Sequence, residues 1–293
     1  MNLLVILRIV GLLLMLFSLT MVPPIVIARI FHDGNWHAFG AGMAISVVTG
    51  ALLYWPNRKA KRELRTRDGF IITVLFWSVL GLFGTIPFMV SEAPSMTFTD
   101  AVFESFSGLT TTGATVLSGI DHLPASIRFY RQQLQWLGGM GIVVLAVAIL
   151  PTLGIGGMQL YRTEIPGPLK DSKLTPRITE TAKALWYIYV ILTVGCALAY
   201  WAAGMNWFDA IGHSFATVAV GGFSTYDASI GHFDSTTIEM ICVFFMIVSS
   251  VSFGLHFAVW RERRLLQYIR DPEFRFFVTF LGLLIAITVI TLF

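Results

Sequence analysis

Two short segments, "TTTGAT" at residues 110–115 and "AVGGFST" at residues 219–225, place glycine within backbone that is not expected to be helical. Extended backbone that contains glycine can turn its carbonyl oxygens toward one axis and replace the hydration water of a cation. Such a site needs no charged ligand. The chemistry that these residues predict is therefore the coordination of a dehydrated cation by main-chain oxygens.

The two segments lie within an internal repeat. Residues 97–115, "TFTDAVFESFSGLTTTGAT", align with residues 206–224, "NWFDAIGHSFATVAVGGFS", at an offset of 109 residues. The five identical positions are Asp100 with Asp209, Ala101 with Ala210, Ser105 with Ser214, Phe106 with Phe215, and Gly113 with Gly222. Each copy lies between two long apolar runs, so the repeated unit is interpreted as helix, loop segment and helix.

Each loop segment is predicted to begin with a short helix. Thr97 and Asn206 are good N-cap residues, and Asp100 and Asp209 follow three positions later, where a carboxylate suits a helix N-terminus. A helix from Thr97 to Leu109 would be roughly 18–20 Å long, well short of the ~30 Å hydrocarbon core of a bilayer. Irregular backbone at membrane depth must line an aqueous cavity or be buried in protein. The pattern therefore predicts two re-entrant pore loops.

The elements that position these loops are predicted to be membrane helices. Hydrophobic residues make up 56% of the chain and charged residues 13%, a composition that excludes a soluble domain. Most of the apolar runs approach the ~20 residues that span a bilayer, so six or seven crossings are expected. The first run is interpreted as a retained helix rather than a signal peptide. The runs are residues 3–22, 38–55, 70–90, 142–153, 185–203 and 238–260.

Basic residues predict the orientation, because positively charged loops remain in the cytoplasm. They fill three loops: Arg58, Lys59, Lys61, Arg62, Arg65 and Arg67; Arg162, Lys170, Lys173, Arg177 and Lys183; and Arg261, Arg263, Arg264, Arg270 and Arg275. We interpret them as topology signals, with a cytoplasmic N-terminus. Nucleic-acid binding is not favoured, because membrane spans separate the basic loops.

Residues 91–126 and 205–235 contain no Lys or Arg and are expected to face outward. Their carboxylates would raise the local concentration of cations at the mouth of a pore, so anion transport fits poorly. These carboxylates are Glu92, Asp100, Glu104, Asp121, Asp209, Asp227 and Asp234.

Four stretches, "SGLTTTGATV", "WLGGMGIVVLAVAILP", "KLTPRITETAKALW" and "ATVAVGGFSTYDASI", resemble the successive signatures of the TrkH family of potassium and sodium/potassium transporters. The resemblance implies potassium uptake across the bacterial inner membrane, with K⁺ as the transported ion, no organic cofactor and no enzymatic activity. It implies that filter backbone comes from Thr111, Thr112, Gly113, Val220, Gly221 and Gly222, flanked by Thr110, Ala114, Ala219 and Phe223. In this family, glycine at Gly113 and Gly222 goes with a preference for K⁺, and serine in the first loop goes with sodium permeation.

The fold class that follows is an all-α polytopic membrane protein with repeated helix–pore loop–helix units, as in potassium channels. We divide the chain into an N-terminal transmembrane hairpin with a basic loop (1–68), a first repeat (69–157), a second repeat (158–270) and the start of a third (271–293). The family arranges four repeats around one pore, so these residues are expected to be a fragment that supplies the first two filter loops.

The resemblance also implies partners: a homodimer in which each protomer holds its own pore, and a TrkA-type cytoplasmic ring that binds nucleotides. A helix that starts at Thr175 and Pro176 and continues to Ala203 would be about 43 Å long at about 1.5 Å per residue, and would project below the bilayer. Together with residues 261–275, it offers a surface for such a ring. Contact with lipid headgroups is the alternative.

Several polar and small residues have more than one interpretation. Glu104 and His213 occupy equivalent positions and are expected to lie near a water-filled vestibule without a catalytic role. Arg128 and Arg131 are expected to snorkel or to pair with a carboxylate rather than to repel ions. Gly138, Gly139 and Gly141 are expected to permit close helix approach, with a hinge as the alternative. Cys196 and Cys242 are expected to be buried thiols and not metal ligands.

Two other classes of function stay open. An intramembrane enzyme would need converging nucleophiles, acids or metal ligands within the spans, and the sequence shows no such cluster. A non-conducting scaffold or regulator is the second alternative, because two loops make only half of a four-repeat filter.

Overall fold

The computed structural model describes residues 3–60, 66–141 and 178–292 of the chain. This part of the chain consists of helices and connecting loops, which confirms the predicted all-α class. The helices are α1 (Leu3–Ser18), α2 (Val22–Ile30), α3 (Trp36–Asn57), α4 (Thr66–Gly84), α5 (Ile86–Val90), α6 (Phe98–Leu109), α7 (Ala125–Gly139), α8 (Ile178–Ala202), α9 (Trp207–Val218), α10 (Thr236–Ser250), α11 (Phe253–Glu262), α12 (Leu266–Arg270) and α13 (Pro272–Leu292).

Five helical segments in the described ranges are long and apolar enough to cross a membrane. They are Leu3–Ile30, Trp36–Asn57, Arg67–Val90, Lys183–Ala202 and Pro272–Thr291. The count rises to six if α10 and α11, which are bent by 85° relative to each other, form one broken span. The predicted run at 142–153, the start at Thr175 and most of the second basic loop lie outside the described residues.

The run at 238–260, which was expected to cross the membrane as one helix, is divided into α10 and α11, and it remains a crossing if the bent pair is one broken span. Val251 takes an extended backbone conformation, with ψ of 141°, and Ser252 has a non-helical ψ of 122°. His256 Nε2 lies 2.9 Å from the carbonyl oxygen of Val248, and its Nδ1 lies 2.7 Å from the hydroxyl of Tyr268. The imidazole thus gives a carbonyl near the break a hydrogen-bond partner. This contact cannot be read from an apolar run in the sequence.

The N-terminal hairpin packs through two facing glycines. A Cβ atom on Gly11 would lie 2.6 Å from the carbonyl oxygen of Gly50, and a Cβ on Gly50 would lie 2.7 Å from that of Gly11. α1 and α3 therefore approach backbone to backbone, as small residues allow between membrane helices. The hairpin also contacts the first repeat, because α1 packs on α4 and α2 packs on α7.

The two repeats follow the predicted order of long helix, short helix and second helix. In the first repeat these are α4, α6 and α7, and in the second they are α8, α9 and α10. α6 and α9 have 12 residues each, and their N-caps are Thr97 and Asn206, whose side chains accept from the N–H groups of Asp100 and Asp209. The predicted short helices and their caps are confirmed.

We expect Gly50→Ala to destabilise the protein by about 1–3 kcal/mol, because the new methyl group overlaps the backbone of α1. Gly40→Ala in the same helix is the matched control, since no atom lies within 4 Å of a Cβ placed there. The control is expected to be neutral or to stabilise by up to about 1 kcal/mol through helix propensity. Thermal unfolding of the two purified variants in detergent measures the difference, and equal unfolding temperatures would contradict close packing at Gly50.

Candidate cation-binding loops

The backbone after α6 and the backbone after α9 adopt the same conformation. Thr111 and Val220, two residues beyond the helix ends, have positive φ angles of 56° and 52°. Gly113 and Gly222 also have positive φ angles, of 76° and 91°. Side chains disfavour this region of backbone space, so each loop holds one non-glycine residue in a strained conformation. The alternation of positive φ repeats at the predicted offset.

Hydrogen bonds at the helix ends repeat as well. In each loop, three successive N–H groups turn back to carbonyls of the last helical turn, at 2.8–3.2 Å. The donor–acceptor pairs are Thr110–Phe106, Thr111–Gly108 and Thr112–Ser107 in the first loop, and Ala219–Phe215, Val220–Thr217 and Gly221–Ala216 in the second. These bonds use three N–H groups in each loop, whereas the carbonyls of the same residues take no part in the turn.

The carbonyl groups of residues 110–113 and 219–222 accept no hydrogen bond from any residue that the structure describes. Free carbonyls inside a membrane protein require water or an ion as their partner. Thr112, Ala114, Val220 and Gly222 are exposed on the same loops. Of the six predicted filter residues, Thr112, Val220 and Gly222 are thus exposed, and none of the six has a carbonyl that accepts a hydrogen bond in the described part of the chain.

The two loops touch at a pair of glycines. A Cβ atom on Gly113 would lie 1.9 Å from the carbonyl oxygen of Gly221, so no other residue fits at position 113 without displacing the second loop. A Cβ on Gly222 would meet no atom within 4 Å. Gly221 and the flanking residues Ala219 and Phe223 are buried, whereas Val220 and Gly222 between them are exposed.

A buried ion pair lies behind the first loop. The Nε–H of Arg131 donates to Oε1 of Glu104 at 2.6 Å, and both side chains are 0% exposed. The hydroxyl of Thr115 donates to the Glu104 carboxylate at 2.9 Å. Arg131 also donates to Thr115 Oγ1 at 3.0 Å and to the carbonyl of Ser224 at 3.1 Å. Arg131 thus pairs with a carboxylate, which the sequence analysis favoured over ion repulsion, and connects both loops.

His213 does in the second repeat what Glu104 does in the first. Its Nε2 lies 2.9 Å from the hydroxyl oxygen of Ser224, and its Nδ1 lies 2.9 Å from the carbonyl oxygen of Asp209. Ser224 aligns with Thr115, so in both repeats the side chain at the same helix position holds the hydroxyl at the same loop position. Sequence reasoning missed Thr115 and Ser224, although the alignment of two hydroxyl residues was visible.

The expectation that all seven outer carboxylates face the mouth is wrong for two of them. Glu104 is buried in its ion pair, and Asp209 is also buried. Asp209 accepts from the hydroxyls of Thr225 and Tyr226, each at 2.7 Å. The pKa of Tyr226 is raised to about 12, mainly because its hydroxyl is buried and secondly because that hydroxyl donates to Asp209. The exposed carboxylates are Glu92, Asp121, Asp227 and Asp234.

Glycines of α7 bring that helix against the ends of both short helices. A Cβ on Gly138 would lie 1.9 Å from the carbonyl oxygen of Leu109, and a Cβ on Gly139 would lie 3.1 Å from Cβ of Ala219. At Gly141 the neighbour is the ring of Trp77, at 2.8 Å. The interpretation of these glycines as packing residues is supported at all three positions.

No group of three or more His, Cys, Asp or Glu residues that could hold a metal ion occurs in the described ranges. Cys196 and Cys242 are free thiols, the first buried and the second partly buried.

The family model described as "TrkH: Cation transport protein" matches residues 36–293. Trk system potassium uptake protein TrkH of Halomonas elongata is 72% identical over 292 residues, which are 100% of this chain and 61% of that protein. The protein of the same name from Escherichia coli K12 is 63% identical over 271 residues, 92% of this chain and 56% of the relative.

A solved structure, the crystal structure of the potassium transporter TrkH from Vibrio parahaemolyticus, has a TM-score of 0.85 and 52% sequence identity to this chain. The match covers 98% of this chain and 58% of that one. The chain therefore spans a little over half of the length of the relatives that it matches. The proteins named above are potassium uptake proteins or transporters and not enzymes, in agreement with the sequence analysis.

We expect Arg131→Met to destabilise the protein by about 3–5 kcal/mol, because it leaves the carboxylate of Glu104 buried without its partner. The double variant Glu104→Gln/Arg131→Met removes that unpaired charge and is expected to be more stable than the single variant. Unfolding of the purified variants in detergent, followed by tryptophan fluorescence, measures both effects.

Arg128→Met is the matched control on the same helix. Arg128 is only partly buried, forms no ion pair with a described residue and makes one 3.4 Å bond, to the carbonyl of Thr225. Its loss is expected to cost less than about 1.5 kcal/mol. A single Arg131 variant as stable as this control would show that the ion pair does not support the loops.

Proposed function

The chain belongs to the TrkH family of cation transport proteins, and on that premise we propose that it forms part of a pore for potassium uptake. In this proposal, main-chain oxygens of the two loops replace the hydration shell of K⁺. The coordinating residues are Thr111, Thr112, Gly113, Val220, Gly221 and Gly222, with Thr110, Ala114, Ala219 and Phe223 flanking them.

The observation that carries the proposal is the set of free carbonyls on two loops of equal conformation. Residues 110–113 and 219–222 accept no hydrogen bond from the described residues, and the loops meet at Gly113 and Gly221. Curated relatives at 72% and 63% identity are named as potassium uptake proteins, which makes K⁺ the favoured cation.

The short helices support the same function electrostatically. α6 and α9 end directly at the two loops, so the negative ends of their dipoles point toward the proposed ion path. A cation that has lost part of its hydration shell is stabilised there without a buried carboxylate. The exposed carboxylates of the outer segments would add a longer-range attraction, which salt screens within about 8 Å at physiological ionic strength.

The rest of the proposal concerns the whole protein. We propose that these residues supply two of four filter loops, and that α13 opens a third repeat whose partners lie outside residues 1–293. The span Pro272–Thr291 is 0% buried, which fits a helix that packs against further protein or lipid. A multi-pass position in the bacterial inner membrane, a cytoplasmic N-terminus, a homodimer and a TrkA-type ring complete the proposal.

We expect Gly113→Ser, placed in the complete protein, to lower the K⁺-over-Na⁺ permeability ratio at least tenfold. The serine Cβ would overlap the carbonyl of Gly221 and would also require a positive φ angle. Gly222→Ser tests the backbone conformation alone, since its Cβ meets no atom within 4 Å, and a smaller loss of selectivity is expected.

Gly231→Ser in the outer segment is the matched control, because a Cβ there is also free of contacts and no positive φ angle is required. Uptake of K⁺ and Na⁺ by cells that lack other potassium uptake systems gives the ratio for each variant. Unchanged ratios in both filter variants, at normal membrane levels, would reject the proposed filter.

A non-conducting regulator or scaffold is distinguished by expression of residues 1–293 alone. We expect no potassium uptake from these residues by themselves, because two loops cannot surround an ion. Restoration of uptake only when a segment carrying the missing repeats is co-expressed would support the pore. A change in the activity of another transporter, without restored uptake, would favour the regulator instead.

A further inference from the structure

One face of α7 carries a stripe of four polar side chains. Arg128, Arg131, Gln132 and Gln135 follow the spacing i, i+3, i+4 and i+7, which places them along one side of a helix. The last three of these residues are 0% exposed. Buried amide and guanidinium groups are costly in a membrane protein unless they are hydrogen-bonded, so such a stripe requires a physical reason. We call these four residues the α7 stripe.

The α7 stripe contacts consecutive main-chain groups of the second loop. Gln135 Oε1 accepts from the N–H of Phe223 at 3.0 Å, and Gln132 Nε2 lies 3.5 Å from the carbonyl oxygen of the same residue. Arg131 donates to the carbonyl of Ser224 at 3.1 Å, and Arg128 to that of Thr225 at 3.4 Å. Successive positions along α7 therefore hold successive residues that follow Gly222.

The second repeat provides room for the α7 stripe at two glycines. A Cβ on Gly212 would lie 1.9 Å from Gln132 Oε1, and a Cβ on Gly221 would lie 2.4 Å from Gln135 Cδ. The residues at the equivalent positions of the first repeat are Phe103 and Thr112. Of the two repeats, only the second thus leaves space for these glutamines. At position 221, glycine is required by the space that Gln135 occupies and not only by backbone conformation.

The α7 stripe is not a general property of the repeated unit. α10 occupies the corresponding place in the second repeat, and its sequence, TTIEMICVFFMIVSS, contains neither arginine nor glutamine. The polar contacts therefore belong to the boundary between the first and second repeats. The Glu104–Arg131 ion pair extends them to Thr115 of the first loop, so the loops on both sides of the boundary are held by α7.

We propose that the α7 stripe consists of positioning residues that fix the second loop relative to the first and thereby set the discrimination between cations. The stripe acts through the main chain of residues 223–225 and does not touch the ion. This inference rests on the proposed function of the loops. A filter held at fixed width rejects Na⁺ better than one that adjusts to it, so a loosened stripe lowers selectivity more than K⁺ transport.

The experiment compares Gln135→Met with Gln133→Met in the complete protein. Methionine has nearly the length of glutamine but offers no amide oxygen to the N–H of Phe223. Gln133 is the neighbouring control: it is 5% exposed and donates from Nε2 to the carbonyl of Thr20, at 2.7 Å, away from both loops. K⁺ and Na⁺ uptake, the amount of protein in the membrane and the unfolding temperature are measured for each.

We expect the K⁺-over-Na⁺ ratio of Gln135→Met to fall roughly fivefold, the effect of losing one buried hydrogen bond, while maximal K⁺ uptake falls less than twofold. Gln133→Met is expected to keep the native ratio. If Gln135→Met does not reach the membrane, Gln135→Asn replaces it, because its shorter amide cannot reach Phe223, and Gln133→Asn becomes its control.

Equal ratios in the Gln135 and Gln133 variants, whether both native or both lowered, would overturn the inference. Gly222→Ser, measured in parallel, separates this failure from failure of the proposed function. If Gly222→Ser lowers the ratio and the Gln135 variants do not, the filter stands and the positioning role of the α7 stripe is rejected. If Gly222→Ser and Gly113→Ser also leave the ratio native, the filter itself is rejected.

Discussion

A main-chain carbonyl inside a membrane protein needs a partner, and this requirement shapes the centre of the molecule. Lipid offers no donor, so the oxygens of residues 110–113 and 219–222 must meet water or a cation. These oxygens lie at the C-terminal ends of the short helices α6 and α9. Three N–H groups of each loop already bond to carbonyls of the last helical turn. Positive φ angles at Gly113 and Gly222 complete the same geometry twice.

The polar contacts behind the loops follow from the same requirement. A carbonyl oxygen that accepts no hydrogen bond does not hold its own loop in place, so the loop must be held by other groups. Glu104 and Arg131 do this for the first loop, and His213 does so for the second through the hydroxyl of Ser224. The two repeats thus use a carboxylate in one case and an imidazole in the other at one equivalent position, and both side chains contact the hydroxyl at the equivalent loop position.

Most of the features that were predicted correctly from the sequence depend on local patterns. The caps at Thr97 and Asn206 and the length of the two short helices depend on neighbouring residues, so the repeat alignment was enough to find them. The burial of Glu104 was missed because its partner Arg131 lies 27 residues further along the chain. The bend at Val251 was missed for a similar reason: the histidine that satisfies the backbone there looks like any polar residue in an apolar run.

The contact between Gly113 and the carbonyl of Gly221 has a consequence for how this molecule can vary. The two loops come from different repeats, yet neither can widen at this point without moving the other. Substitutions in them should therefore be epistatic, with a change tolerated in one loop only after an accommodating change in its neighbour. We therefore expect a duplicated unit of this kind to diverge as a pair, so that in the proposed pore the ion preference would belong to both loops together.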